Sequence, residues 1–143
     1  MISTRGRYAL RVMADLAENS GGDSYIPLKD IAERQEISLK YMGKIIPALV
    51  KEELVEAVSG KNGGYRLRRS PADISVYDVL RITEKSLAPV ACLECEENSC
   101  PRKDNCKTLP MWKRFDRMTE DFFRGISIEK LVSDDESLAF CDR

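Results

Sequence analysis

The sequence predicts a mainly α-helical protein with a small β wing, in which a winged helix-turn-helix domain precedes a long dimerisation helix. Three observations predict this fold. Two short amphipathic segments follow each other closely in the first third of the chain. Two alternating segments then flank a glycine-rich tip, as in a β-hairpin. A long helical segment nearer the C-terminus carries the chain's only tryptophan and several phenylalanines.

Residues 4–18 and 27–35 each have the apolar spacing of an amphipathic helix. Thr4 is the predicted cap of the first helix, and Pro27 suits the first position of the second. The intervening Asn-Ser-Gly-Gly-Asp-Ser segment favours a turn-rich break between them.

A third helix is predicted from Ser38, its capping residue, to about Leu49. Pro47 lies inside this pattern and predicts a kink or a boundary, because proline has no amide hydrogen to donate. Only residues 36–37 separate the second helix from Ser38, which is the spacing of a helix-turn-helix. In that motif the later helix enters the major groove of DNA, so its exposed polar side chains are candidate base and phosphate contacts. They are Ser38, Lys40, Tyr41 and Lys44.

Residues 54–58 and 65–68 alternate as strands around a tip at 59–64, and a hairpin in this position is a wing. Lys61 lies at the tip among small residues, so the backbone of the tip fits a minor groove. Arg66 is predicted to approach the DNA backbone. The alternative is a winged-helix fold that contacts proteins, with these cations merely solvated.

Composition sets the broad class of the protein. The chain has 143 residues and a formal net charge of −1, but its first half is mildly basic and its second half acidic. This asymmetry fits a reader of double-stranded DNA followed by a control segment. No apolar run is long enough to cross a bilayer and no secretory signal is visible, so a cytoplasmic protein without a membrane partner is expected. Without histidine, a phosphate-binding loop or a nucleophile–base pair, the chain is not expected to be an enzyme.

Three further helices are predicted after the wing. Ser75 caps the first of them, with Asp78 in the capping-box position. The second runs from about Pro110 to Arg124, and a short last helix covers 126–132. Large apolar residues line one side of the long helix: Met111, Trp112, Phe115, Met118, Phe122 and Phe123. Two copies of it are predicted to cross as an antiparallel pair in a homodimer that reads a two-fold symmetric operator, and packing against the chain's own first helix is the alternative.

Four cysteines lie close together in a segment that has neither helical nor strand periodicity. Cys92, Cys95, Cys100 and Cys106 are spaced C-x2-C-x4-C-x5-C in a chain without histidine. In a reducing compartment such a cluster favours metal binding or redox chemistry over disulfides. Thiolates at short spacing are ligands for zinc or for an iron–sulfur cluster, and spacing alone leaves zinc, iron–sulfur and free redox thiols open. The fifth cysteine, Cys141, is expected to be an incidental exposed thiol.

Several motifs, taken together, resemble the Rrf-type winged-helix transcription regulators, and most closely their IscR-like iron–sulfur members. The matching segments are Thr4-Arg5-Gly6-Arg7-Tyr8-Ala9, Ile31-Ala32-Glu33-Arg34-Gln35-Glu36-Ile37-Ser38, Gly63-Gly64-Tyr65, and the cysteines with Trp112 after them. The resemblance covers residues 1–133 and implies a homodimeric regulator with an iron–sulfur cluster in the loop before the long helix. It favours a 2Fe–2S cluster over a 4Fe–4S cluster. A cluster-free regulator of the CymR type, controlled by a partner protein or by thiol oxidation, is the alternative.

The resemblance also implies individual residues. Three cysteines bind the cluster in the family, and Cys100, Cys106 and one of the first two, preferably Cys92, match them. Leu109 stands where IscR-like members have a histidine, so the fourth ligand is open. Cys95 would complete an all-cysteine site, and a residue from the first helix of the partner subunit is the other option. The family's DNA contacts add Gly43 in the reading helix and Ser59 and Gly60 beside Lys61 in the wing.

The chain is therefore predicted to contain four units. They are a winged helix-turn-helix domain at 1–85, a cysteine-rich cluster-binding loop at 86–108, the dimerisation helix with a short C-terminal helix at 109–133, and a mobile tail at 134–143.

Overall fold

A computed structural model describes residues 1–21, 23–133 and 138. In these residues the elements are α1 (Thr4–Asn19), α2 (Leu28–Gln35), α3 (Leu39–Lys51), β1 (Val55–Val58), β2 (Gly64–Leu67), α4 (Val76–Thr83), α5 (Leu109–Arg124) and α6 (Ile128–Val132). Short 3-10 turns lie at Pro71–Asp73, Ala91–Leu93 and Lys103–Asn105. The predicted mobile tail and Cys141 lie outside the described residues, except for residue 138.

Helix α1 is the centre of the core. Its apolar stripe of Ala9, Val12, Met13 and Leu16 is fully buried, and α2, α3, α4, α6 and β2 all pack around it. The buried residues of α3 (Met42, Ile45, Ile46 and Leu49) recur at intervals of three and four, which places one face of that helix inward and leaves the other free. The predicted mainly α fold with a β wing is therefore confirmed.

The start of α1 differs from the sequence prediction by one residue. Ser3, not Thr4, is the cap, because Ser3 has an extended backbone and its hydroxyl accepts the amide hydrogen of Gly6 at 3.1 Å. Thr4 is already the first helical residue. Glu84, at the end of α4, accepts hydrogen bonds from the amide and the hydroxyl of Ser3 at 3.2 and 2.7 Å. This carboxylate ties the start of α1 to α4.

The helix-turn-helix is present as predicted. Ser38 caps α3, with its hydroxyl accepting the amide of Tyr41 at 3.2 Å, and Glu36 makes the turn in a left-handed conformation. The boundary offered as one outcome at Pro47 is wrong, because α3 continues to Lys51. Proline removes one donor from the helix, and the packing of the buried face of α3 outweighs that loss.

The wing is an antiparallel hairpin in which Val55 faces Leu67. It is attached to the segment before α2, because Ile26 and Tyr65 exchange two backbone hydrogen bonds of 2.8 Å. Gly64 makes this contact possible. Its φ is +147°, and a Cβ there would lie 2.3 Å from the carbonyl oxygen of Ile26.

The last helices, α4 to α6, pack against the helices of the winged helix-turn-helix. Ser75 and Asp78 form the predicted capping box of α4. The long helix α5 ends before Gly125, and α6 places Ile128 in the same core as α1. None of the helices described here combines the length and the apolarity that crossing a membrane requires.

Candidate nucleic-acid interface and cysteine loop

The outward face of α3 carries most of the residues predicted to contact DNA. Ser38, Lys40, Gly43 and Lys44 are exposed. Tyr41 is half-buried, and its ring meets Tyr8 edge-on with 5.2 Å between the ring centres. Tyr41 therefore helps to hold α3 against α1, and only its outer edge is available to a ligand.

A buried ion pair fixes α2 against α1. Asp15 is 1% exposed, and its carboxylate accepts hydrogen bonds from Arg34 at 2.7 and 3.0 Å and from the side-chain NH2 group of Gln35 at 2.9 Å. This contact raises the pKa of the Arg34 guanidinium. Because α2 packs against α3, the pair helps to set the orientation of the exposed face of α3 that is predicted to contact DNA.

Arg11 extends this network along the surface. Its guanidinium lies over the Tyr8 ring at 5.2 Å, and it donates to the side-chain oxygen of Gln35 at 3.2 Å and to the Gln35 carbonyl at the end of α2. The sequence prediction did not identify this network or assign its residues to the site. The available signal was an aspartate, Asp15, within the apolar stripe of α1, where an unpaired carboxylate would be costly.

The wing residues occupy two different situations. Ser59, Gly60 and Lys61 are exposed at the tip, where Gly60 has a φ of +111°. Arg66 is half-buried on β2 and pairs with Glu56 while its guanidinium lies 4.6 Å from the Tyr25 ring centre.

The hydrogen bond between Arg66 and Glu56 lowers the pKa of Glu56 and raises that of Arg66. Arg66 therefore stabilises the hairpin from within. The contact of Arg66 with DNA stays a prediction. To make it, the guanidinium would have to bind a DNA phosphate while it also pairs with Glu56.

The four predicted cysteine ligands lie in the loop between α4 and α5. Cys92, Cys100 and Cys106 are half-buried, Cys95 is exposed, and all four are free thiols. Within the described ranges, no three cysteine, aspartate or glutamate side chains come close enough together to hold a metal ion. The loop thus brings the cysteines to one region without closing them around a centre.

The chemistry of this donor set nevertheless fits a soft metal centre. The hydroxyl of Thr108 lies 3.4 Å from the sulfur of Cys106, and this hydrogen bond, with those from the backbone amides of Thr108 and Leu109, lowers the pKa of the Cys106 thiol. The Asn98 carbonyl oxygen accepts the amide of Cys100 at 2.9 Å, whereas its buried NH2 group has no partner. The loop therefore offers an activated thiol and an unused buried donor.

The comparisons with known proteins agree with this geometry. Residues 2–134 match the family model of Rrf2, described as iron-dependent transcriptional regulator. The chain belongs to the Rrf2 family. The resemblance predicted from the sequence motifs is thereby confirmed, and the protein is a DNA-binding transcription regulator of the winged-helix type.

Several Rrf2 relatives are similar over nearly the whole chain. The HTH-type transcriptional regulator IscR of Sodalis glossinidius is 36% identical over 142 residues, covering 99% of this chain and 84% of the relative. The structure of CymR, the global cysteine regulator of B. subtilis, has a TM-score of 0.73 and 30% identity over 92% of this chain and 95% of that one. The structure of T. potens IscR has a TM-score of 0.72 and 30% identity over 100% and 93%.

This Rrf2 regulator leaves a long apolar stripe of α5 uncovered. Met111, Phe115, Met118 and Phe122 are 52–61% exposed and recur at the spacing of one helix face. Trp112 and Phe123 were also predicted to lie on this side, but both are half-buried. Each follows a residue of the stripe in the sequence and is therefore rotated about 100° away from it around the helix axis. Phe123 packs against Val76, Leu80 and Ile126 within the same chain.

Proposed function

We propose that this Rrf2 regulator binds double-stranded DNA as a homodimer, and that an iron–sulfur cluster in the 92–106 loop controls this binding. One observation supports the control most directly: the activated thiol of Cys106 lies at the start of α5, the helix that carries the exposed apolar stripe. A ligand held by the loop would therefore act at the base of the dimer contact.

Cys92, Cys100 and Cys106 are the proposed cluster ligands, and Cys95 is the proposed fourth. A 2Fe–2S cluster is favoured over a 4Fe–4S cluster. When bound, the cluster would supply a centre that responds to iron supply, redox state or nitric oxide. The chain's contribution is to place Cys106 beside the Thr108 hydroxyl and the backbone amides of Thr108 and Leu109, which lower the pKa of its thiol and so favour the form that binds iron.

The DNA-binding surface would consist of α3 and the wing tip. Ser38, Lys40, Gly43 and Lys44 are proposed to meet the major groove, with Tyr41 at its edge, and Ser59, Gly60 and Lys61 the minor groove, while Arg66 would approach a phosphate. Two such surfaces related by the α5 contact would match a two-fold symmetric operator.

The deciding experiment is purification without air, followed by measurement of iron, acid-labile sulfide and visible absorption. We expect brown protein that loses iron and sulfide when Cys92, Cys100 or Cys106 is replaced by serine. Cys95→Ser tests the fourth ligand, and Cys141→Ser, a thiol outside the loop, is the matched control. Colourless wild-type protein that binds its operator equally well with and without metal would refute cluster control.

A cluster-free regulator of the CymR type is the second candidate. The structural similarity to B. subtilis CymR, with a TM-score of 0.73, supports it. Control would then come from a partner protein or from oxidation of a thiol, with Cys106 the most activated candidate. Peroxide treatment of metal-free protein would change operator binding in this case, and Cys106→Ser would abolish that change.

A further inference from the structure

Leu39 is a large apolar side chain in an unusual place. It is the first residue of α3 and is 55% exposed, although it stands between the polar residues Ser38 and Lys40 on the helix end proposed to enter the major groove. One turn later is Gly43, where a Cβ would find no atom within 4 Å. Gly43 adds no side chain beside Leu39, and the open apolar surface that these two residues share on the reading helix is called the notch.

The notch lies beside two cations. Lys40 and Lys44 are four residues apart, so they form a neighbouring row on the same exposed surface. Lysines in this position attract phosphates and guanine acceptors, but the notch has no side-chain donor or acceptor with which to read a base. A single exposed leucine requires no explanation by itself. Leu39, however, lies within a cationic face and next to a glycine that adds no side chain, so a small apolar group of the DNA can reach it.

A base edge in the major groove offers one apolar group, which is the C5 methyl of thymine. We propose that the notch contacts a thymine methyl in each operator half-site, so that Leu39 is a specificity-determining residue. This inference rests on the proposed binding of duplex DNA. It adds a base preference that the lysines and the capping serine do not provide.

The test uses an operator selected from a random duplex library by the full-length protein itself. Each thymine is then replaced by deoxyuridine, which removes only the methyl group. At one position per half-site we expect the Kd of the wild type to rise about fourfold, or about fifteenfold with both half-sites changed, as the burial of one methyl group predicts. Thymines outside the half-sites should show no effect.

The protein side of the test uses matched leucines. Leu39→Ala should weaken binding to the thymine operator by a similar factor and lose all sensitivity to deoxyuridine. Leu131→Ala, an exposed leucine on α6, should keep the wild-type sensitivity. Thermal unfolding verifies that both variants are folded, which is expected because neither side chain is buried.

Two failures are distinguishable. If the protein shows no salt-dependent affinity for any duplex, the proposed function itself fails and takes this inference with it. If the operator binds well but deoxyuridine has no effect, or has the same effect on Leu39→Ala as on the wild type, only the thymine contact is overturned.

Discussion

Replacing Phe122 by alanine tests whether the apolar stripe of α5 is a dimer interface. Phe122 is 61% exposed, so about three-fifths of its side chain remains to be buried by a partner. Complete burial of such a side chain contributes about 1.5–3 kcal/mol. The variant should then lose about 0.9–1.8 kcal/mol per copy. A two-fold interface doubles this loss to about 1.8–3.6 kcal/mol, which raises the dimer Kd about 20- to 400-fold.

The neighbouring Phe123 provides a matched control. It packs against Val76, Leu80 and Ile126 within the same chain, so Phe123→Ala should lower the free energy of unfolding by about 2 kcal/mol and leave the dimer Kd nearly unchanged. The two rings touch, with 5.6 Å between their centres, so Phe115→Ala serves as a second stripe variant away from this pair.

Sedimentation equilibrium over a concentration series measures the dimer Kd, and urea unfolding measures the stability of each variant. The reasoning is refuted if the wild type is monomeric at micromolar concentration. It is also refuted if Phe122→Ala and Phe115→Ala dimerise like the wild type, or if Phe123→Ala has the larger effect on the dimer.

Three further predictions concern the stability of residues 1–85, the winged helix-turn-helix part of the chain. Asp15→Asn should lower the free energy of unfolding, measured in urea, by about 2 kcal/mol. This is less than for a fully buried pair, because Arg34 is 39% exposed and its guanidinium can be solvated after the change. Asp30→Asn, on the surface of α2, is the control and should change the stability little. Gly64→Ala should cost more than 1 kcal/mol by the same assay, since the new Cβ meets a carbonyl oxygen; an unchanged midpoint would contradict the wing contact. Burial of Asp78 would raise its pKa, but the hydrogen bonds of the capping box outweigh this effect and lower the pKa. Their contribution to the stability of the fold is therefore present above the ordinary pKa near 3.8, and it is lost as the pH falls through the lower pKa of the folded protein. Asp78→Asn should therefore be about 1 kcal/mol less stable at neutral pH and lose less stability than the wild type on acidification.

The fold was predictable because its signals are local. The apolar spacing of α1 and α3, the caps at Ser38 and Ser75 and the glycines of the wing each determine a short segment without reference to the rest of the chain. The errors have the same origin. Ser3 and Thr4 are both good caps, and Glu84, 81 residues after Ser3 in the chain, is the partner that makes Ser3 the better one.

The candidate site was predictable only in part. The exposed residues of α3 follow from helix periodicity, whereas the pair between Asp15 and Arg34 joins two helices whose relative placement no local pattern gives. The pairing of Arg66 with Glu56 is a cross-strand contact that the register of the hairpin creates. Without that register, Arg66 is simply a cation near a wing.

The cysteines show a second limit on what the sequence can predict. Their spacing identifies sulfur chemistry, but the loop has two short 3-10 turns, at Ala91–Leu93 and Lys103–Asn105, and little other regular structure. Backbone hydrogen bonding therefore does little to set the distances between the sulfur atoms. In such a loop a bound centre supplies the missing constraints, because metal binding and the ordering of the ligands are one process.

A short series of contacts connects the loop to the DNA-binding head. Cys106 is hydrogen-bonded at the first turn of α5, so ligation of its sulfur would act directly on that end of the helix. At the other end, Glu120 accepts a hydrogen bond from Tyr77 of α4 at 3.1 Å, and the Arg124 guanidinium lies 3.6 Å from the centre of the same ring. Because α4 packs on both α1 and α3, a tilt of α5 would reach the reading helix through only one intervening element. Under the proposed cluster control, loss of the cluster would need only to change how α5 packs against α4, and the winged helix-turn-helix domain would not have to refold.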